Sequence, residues 1–467
     1  MKKLLVCKVI LPVLFAILSP FPSPAQDVDS LFIRRIADEI LVNGKAYENL
    51  RHLTKQIGGR LAGSPQMVKA ESWGLATLRQ SGADTAYMQQ CMVPHWVRGG
   101  TDGASVISID DKKQKRNVDV LALGNSLGTG KSGITGEVIA VSSFEDLEKR
   151  KDEVKGRIVF YNYPFNPTYI IPGRAYGESV VYRANGPSRA AKYGAIGVIV
   201  RSMSEGTNNF PHTGATRYND SFPKIPAVAV GLEDADYIWQ TCRGHKKVKI
   251  SFTTNGHFLP DTIGHNVIAE IKGADGSNDF ITVGGHLDSW DVNEGAHDDG
   301  TGIVQTIEVL RTLKALGYKP KKTIRFVLFA NEENGTRGGL KYAEEAKARN
   351  ENHILAIETD EGGFTPRGFG FTIGNDTLTK ISAWTRLLLP YGVYEFSAGG
   401  GGTDVGPLNM TLHTPIAGLI PDNQRYFDLH HARNDVFEAV NKRELLLGAI
   451  NIAGLIYLVD KYGLDPN

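Results

Sequence analysis

The stretch Gly284-Gly285-His286-Leu287-Asp288-Ser289-Trp290-Asp291 is followed closely by Gly295-Ala296-His297-Asp298-Asp299-Gly300. It sets histidine and several carboxylates between an apolar run and a helical one. Imidazole nitrogen and carboxylate oxygen are the natural ligands of zinc and other borderline divalent ions. Further candidates follow in Asn331-Glu332-Glu333-Asn334-Gly335, in Glu358-Thr359-Asp360 and in the late pair His430-His431. A lone surface carboxylate is ordinarily just solvated. Two adjacent glutamates after a buried apolar run are costly to desolvate together without a cation. The groups together point to a metal-dependent hydrolase.

The elements that must position them alternate between strand and helix. Phe280 to Gly284, Thr323 to Ala330 and His353 to Glu358 read as strands, and each leads directly into one of the candidate groups. Tyr426 to Leu429 reads as a further strand ahead of His431. Gly302 to Leu316, Gly338 to Asn350 and Arg443 to Tyr462 carry apolar residues at helical spacing. Such alternation indicates an α/β fold with a mostly parallel central sheet, whose sites form beyond the carboxyl ends of the strands. Upstream, Asp29 to Gln56 reads as one helix and Gln66 to Ser81 as another, followed by a strand over Met88 to Trp96. From Asn117 to about His257 the texture changes. Short β runs alternate with glycine and proline, Ser188 to Ala195 reads as a small-residue helix, and Ile196 to Val200 and Ile225 to Val230 read as buried strands. Residues 117–257 are therefore expected to be an inserted, β-rich domain, between 26–116 and 258–467.

Composition narrows the function classes. With 467 residues, 41% hydrophobic and 22% charged, the chain is an ordinary globular protein too long for one simple core. Its net charge of +1 gives no electrostatic case for a nucleic-acid or anionic-membrane partner. Lys2 and Lys3, an apolar stretch from Leu4 to Leu18, and Ser23-Pro24-Ala25 read as an export signal cleaved after Ala25. The expected location is periplasmic or extracellular. No later segment is expected to cross a membrane. Cys91 and Cys242, which remain after cleavage, either pair or stay as buried thiols.

The motifs His286-Leu287-Asp288-Ser289-Trp290, Gly295-Ala296-His297-Asp298-Asp299-Gly300, Asn331-Glu332-Glu333, Glu358-Thr359-Asp360 and His430-His431-Ala432-Arg433-Asn434-Asp435, in this order, resemble the M28 family of zinc peptidases and its carboxypeptidase Q group. The resemblance runs from Gly59-Arg60-Leu61-Ala62-Gly63-Ser64 to the last helix. It implies a three-layer zinc-exopeptidase fold with an inserted protease-associated domain, of which Tyr193 to Val198 is the most recognisable run. It also implies two zinc ions. His286 and Asp360 would hold one, Glu333 and His431 the other, with Asp298 between them and a cis Asp298-Asp299 peptide. Glu332 would be the general base, and Asp288 would hydrogen-bond His286; adjacency alone does not separate the roles of the two glutamates. His430 and His297 would pack or support. Asp404, in the loop Ala398 to Asp404, would support the site or orient substrate, and Tyr426 would donate to the developing oxyanion. The implied reaction is exopeptidase hydrolysis of dipeptides or short peptides with a free amino terminus, by a homodimer. Two alternatives stand beside it: a non-catalytic binding protein on the same scaffold, and a glutaminyl cyclase.

Overall fold

The computed structural model describes residues 24–108, 115–244 and 247–465. The expected export signal lies outside these residues, apart from Pro24 and Ala25 at the start of the first helix. Among the described residues the strands are β1 (Thr85–Val97), β2 (Gly103–Ser108), β3 (Lys115–Val118), β4 (Val120–Ala122), β5 (Ile134–Val141), β6 (Ile158–Tyr161), β7 (Gly197–Arg201), β8 (Ala227–Val230), β9 (Val248–Thr253), β10 (His257–Ile271), β11 (Asp279–His286), β12 (Thr323–Phe329), β13 (Asn352–Glu358), β14 (Pro366–Thr372), β15 (Glu395–Ala398) and β16 (Ile416–Pro421). They form two eight-stranded sheets.

The first sheet runs β1-β10-β12-β11-β13-β16-β14-β15. Its centre, β12-β11-β13-β16, is parallel, and antiparallel pairs flank it on both sides. The near-continuous apolar run of β12 explains its central place, because both of its faces are covered. Ile324, Phe326 and Leu328 join one core. Val327 and Phe329, pointing the other way, join a second core with Tyr342, Ala343 and Leu408. The first face carries helices Thr301–Ala315, Lys442–Tyr462 and Pro24–Asn43; the second carries Arg337–Ala348 and Gly406–Leu412. This is the expected three-layer α/β arrangement.

Two sequence expectations change here, and one alternative left open is settled. The helix over Asp29 to Gln56 is broken into Pro24–Asn43 and Ala46–His52, ending in a wide turn over Leu53–Ile57. At the break the buried Glu308 carboxylate takes the Lys45 amide at 2.7 Å, a tertiary bond that replaces a helical one. Helix Lys442–Tyr462 is, contrary to expectation, long and apolar enough to cross a membrane. Its apolar residues, Leu445, Ile452, Leu455 and Leu458 among them, lie in the first core instead. Cys91 and Cys242 are both free, one in the first core and the other beside a core of the second sheet, so neither forms a disulfide.

The second sheet runs β3-β2-β9-β5-β6-β7-β8-β4. It takes in β2, ahead of residue 117, because β2 pairs with β9 in the register Ala104 to Phe252. The two units meet around Trp290, which is fully buried beside Leu61 and Trp96. Gly124, from the second unit, lies against its ring. A Cβ there would sit 1.8 Å from the Trp290 Cη2 atom. Arg98 adds a bidentate pair to Asp291 at 2.7 and 2.9 Å. Gly124→Ala should therefore cost about 1–3 kcal/mol by overpacking. Chemical denaturation should show a lower midpoint with an unchanged slope.

Candidate metal centre

Parallel pairing brings the candidate groups together. His286 ends β11 opposite Phe329 of β12, and Glu358 at the end of β13 lies opposite Gly284. The loops that follow β12 and β13 carry Glu332-Glu333 and Asp360 to the same sheet edge. Asp298 lies in the turn Ala296–Gly300 ahead of helix Thr301–Ala315, and its peptide bond to Asp299 is cis. Tyr426 to Leu429 is not a strand. A 3₁₀ segment over Asn423–Asp428 follows β16 and leads to His431, whose φ is 63°. The sequence there is apolar and aromatic because Tyr426 and Phe427 pack into a core shared with the second unit, which imitates a strand pattern.

Asp298 is shared. Its Oδ1 lies 3.2 Å from His286 Nε2, and its Oδ2 lies 3.3 Å from His431 Nε2. Asp360 Oδ1 is 3.3 Å from the same His286 nitrogen, and Glu333 Oε2 is 3.1 Å from the same His431 nitrogen. All five predicted ligand residues therefore converge, in two groups joined by one carboxylate. Asp298 Oδ2 and Glu333 Oε1 are buried oxygens that accept no hydrogen bond. Buried carboxylate oxygens left bare beside imidazole nitrogens make a ligand set suited to divalent cations.

The surrounding residues divide the support differently from the sequence expectation. The Asp288 carboxylate is 3.7 Å from His286 Nδ1; it is the Asp288 backbone carbonyl, at 3.0 Å, that orients the ring. The Asp288 side chain instead accepts the Glu332 amide at 3.0 Å and the Glu333 amide at 3.3 Å. Asp404 is fully buried and lies outside the cavity lining, behind the site. Its carboxylate oxygens have no partner, while its amide and that of Val405 donate to Glu358 Oε2. His297 is a structural residue. Nδ1 accepts the Gly363 amide, Nε2 meets the Ala439 carbonyl, and the ring stacks on Phe364. His430 stacks on His431 with centroids 3.5 Å apart and reaches 3.8 Å from Asp298 Oδ2, closer to the centre than expected.

Several supporting residues carry roles that the sequence did not assign. Asp435 accepts the amides of His297 and Asp298. Asp299 accepts the amides of His286 and Gly302. Arg60, fully buried, donates to the carbonyls of Leu287, Glu294 and Gly295. The available signal was a charged residue within a run of glycine and small apolar residues, Gly58 to Gly63.

A cavity of about 720 Å³ opens onto Asp298, Glu332, Glu333, Asp360, Tyr426 and His431. Burial pushes Glu332 up to about 7 and Glu333 up to about 8; the Asp298 charge adds to both. Burial also raises Glu358, to about 8, and Asp435, to about 7. Burial opposes protonation of His431, but Glu333 and Asp298 overcome it and lift the imidazole to about 10. Burial and the nearby carboxylates hold Tyr426 well above its usual range, so its hydroxyl keeps its proton. Without a cation, the cluster thus keeps extra protons to offset its crowded negative charge.

Comparison with known proteins gives the family. The profile of Peptidase family M28 matches residues 266–455. Carboxypeptidase Q of Homo sapiens is 34% identical over 427 residues, 91% of this chain and 86% of its own length. The crystal structure of a peptidase M28 precursor from Shewanella amazonensis superposes with a TM-score of 0.87 at 31% identity, over 93% of this chain and 97% of that one. The chain belongs to peptidase family M28. It is a hydrolase of the metallo-exopeptidase class. A zinc aminopeptidase from Bacillus subtilis shares the fold, with a TM-score of 0.62 at 19% identity over 88% of this chain and 93% of that one.

The raised acids of this M28 peptidase give a pH dependence of definite sign. The folded, metal-free state binds more protons than the unfolded chain wherever Glu332, Glu333, Glu358 and Asp435 are above their ordinary values, and His431 acts in the same sense. Stability then falls as pH rises. The histidines lowered by burial, His212, His297, His353 and His430, oppose this only around and below their ordinary value of 6.5. Metal-stripped protein should therefore melt at lower temperature at pH 8 than at pH 6.5. Divalent cation should restore more stability at the higher pH, as scanning calorimetry with and without added zinc would show.

Proposed function

We propose that the chain is an exported di-zinc exopeptidase that hydrolyses dipeptides or short peptides with a free amino terminus. The observation that carries this reading is Asp298, with one oxygen toward His286 and the other toward His431. His286 and Asp360 would hold one ion, Glu333 and His431 the other, and Asp298 both; the unpartnered oxygens of Asp298 and Glu333 favour this filling. Bound zinc would polarise the scissile carbonyl and lower the pKa of water. A Bacillus subtilis protein of the same fold is described as a zinc aminopeptidase. Export rests on the leader-like run from Lys2 to Ala25. A homodimer belongs to the same reading. Met92, Phe258, Leu259 and Ile263, exposed on the β1-β10 ribbon, are a candidate face for it. The second sheet would be the protease-associated domain.

Glu332 is the residue suited to move the proton. It lines the cavity and, unlike Glu333, pairs with no imidazole among the described residues. Burial raises its carboxyl in the metal-free protein, and a carboxyl group open to the cavity is placed to take and release a proton. It would accept a proton from the attacking water and hand it to the leaving amine nitrogen. Tyr426, protonated and on the same wall, has a hydroxyl that would donate to the oxyanion as the carbonyl is attacked. Peptide binding alone must orient the amide bond between these groups.

Glu332→Gln should lower kcat by about 10² to 10⁴ while retaining two metal ions per chain. Turnover on dipeptides and elemental analysis of the same preparation test both halves. Near-normal turnover, or activity that survives thorough removal of metal, would sink the mechanism.

A further inference from the structure

The two imidazoles that face Asp298 are backed by opposite charges. His286 turns its Nδ1 to the Asp288 carbonyl at 3.0 Å, with the Asp288 carboxylate 3.7 Å away. His431 turns its Nδ1 toward the second unit, where Nη1 of the Arg183 guanidinium lies 3.2 Å away. A neutral ring that offers Nε2 to a cation carries its proton on Nδ1. For His431 the acceptor of that proton is the Thr213 carbonyl at 3.3 Å, which Arg183 Nη1 also reaches at 3.3 Å. One carbonyl is thus divided between the ring and a cation.

Arg183 belongs to helix Pro172–Ala184 and is buried. Its Nη2 donates to the Tyr176 hydroxyl at 2.7 Å, and its Nε is buried with no partner. Among the described residues its polar contacts include no carboxylate. The second unit nevertheless makes room for it. Gly214 has a φ of 127°, and a Cβ there would lie 2.3 Å from Arg183 Cζ. Burying a cation on neutral acceptors alone is costly. Negative charge lies on the other side of the His431 ring, where Nε2 faces Glu333 and Asp298. The groups behind a ligand histidine orient it and set its basicity. A carbonyl or carboxylate there strengthens the ring as a ligand. A guanidinium draws electron density from the ring and repels a cation beyond it.

We propose that Arg183 is a positioning residue that acts through His431: its charge loosens the hold of Glu333 and His431 on their ion, so that the second unit sets metal affinity in the peptidase site. This rests on the di-zinc reading above. An ion held less firmly by its imidazole keeps more of its charge for a carbonyl or a water. The test equilibrates full-length, zinc-loaded protein with graded concentrations of a zinc chelator and counts ions per chain by elemental analysis. His431→Ala marks the step that belongs to this ion by abolishing it. In Arg183→Met and Arg183→Gln that step should move to about tenfold lower free zinc. It should stay near the wild-type position in Arg183→Lys, which keeps the charge. A clamp that only orients the ring predicts the reverse, an ion lost more readily from both neutral variants. Should Arg183→Met fail to fold, Arg183→Gln keeps a hydrogen-bonding side chain and carries the comparison. An unchanged or loosened ion in the neutral variants overturns the role of Arg183 and leaves the di-zinc reading intact. A wild type that binds fewer than two ions at saturating zinc overturns both.

Discussion

One carboxylate, that of Asp298, stands between two imidazoles, with a different oxygen toward each. A buried anion costs several kcal/mol unless it is paired, and sharing demands that it be held from behind. Asp435 holds it by accepting the Asp298 amide together with that of His297. Asp299 turns the other way and ties the amide of His286 to the first turn of the next helix through Gly302. Gly285 makes room for that turn, since a Cβ there would lie 2.2 Å from Asp299 Oδ2. Arg60 closes the base of the same loop by gathering three carbonyls, and its charge faces Asp288, Asp435, Asp299 and Asp298. The sheet supplies alignment, but this layer of buried ions decides where the site can be.

His431 connects that layer to the second unit. Its Nε2 faces Asp298 and Glu333, while its Nδ1 lies near the Thr213 carbonyl and the Arg183 guanidinium. Its own carbonyl accepts the Thr213 amide. A non-glycine residue at a φ of 63° carries a local cost, here offset by contacts from both units. The pair Asn125 and Asn334 repeats the pattern one turn away, each side chain bonded to the other residue, next to Glu333. Together with Trp290 against Gly124, these contacts make the second unit a wall of the cavity.

The parallel centre of the first sheet was legible because β11, β12 and β13 are predominantly apolar runs, each followed by a chemically distinctive loop. Five converging residues could be named from that pattern together with the family resemblance. The supporting layer was much less visible. Arg60, Asp299 and Asp435 act through backbone amides and carbonyls, and a sequence does not display which amide a carboxylate will meet. Asp288 shows the same limit: its side chain serves the glutamate loop and its carbonyl serves the histidine, two roles that residue type alone does not separate. Errors of element followed tertiary contacts. Glu308 breaks the first helix, and Tyr426-Phe427 imitate a strand because they pack against another unit.

The two adjacent glutamates show how a single side chain divides labour between neighbours. Asp288 fixes the amides of Glu332 and Glu333 with its two oxygens, so the loop that carries them is rigid at its backbone. From that fixed base, Glu333 is buried and reaches His431, whereas Glu332 stays partly open to the cavity. In the proposed reaction the buried member would suit a ligand, since it is shielded from competing water and already faces an imidazole. The open member would suit a base, since it must meet both water and the departing amine. The roles proposed for Glu332 and Glu333 rest on this difference in exposure above the shared Asp288 clasp.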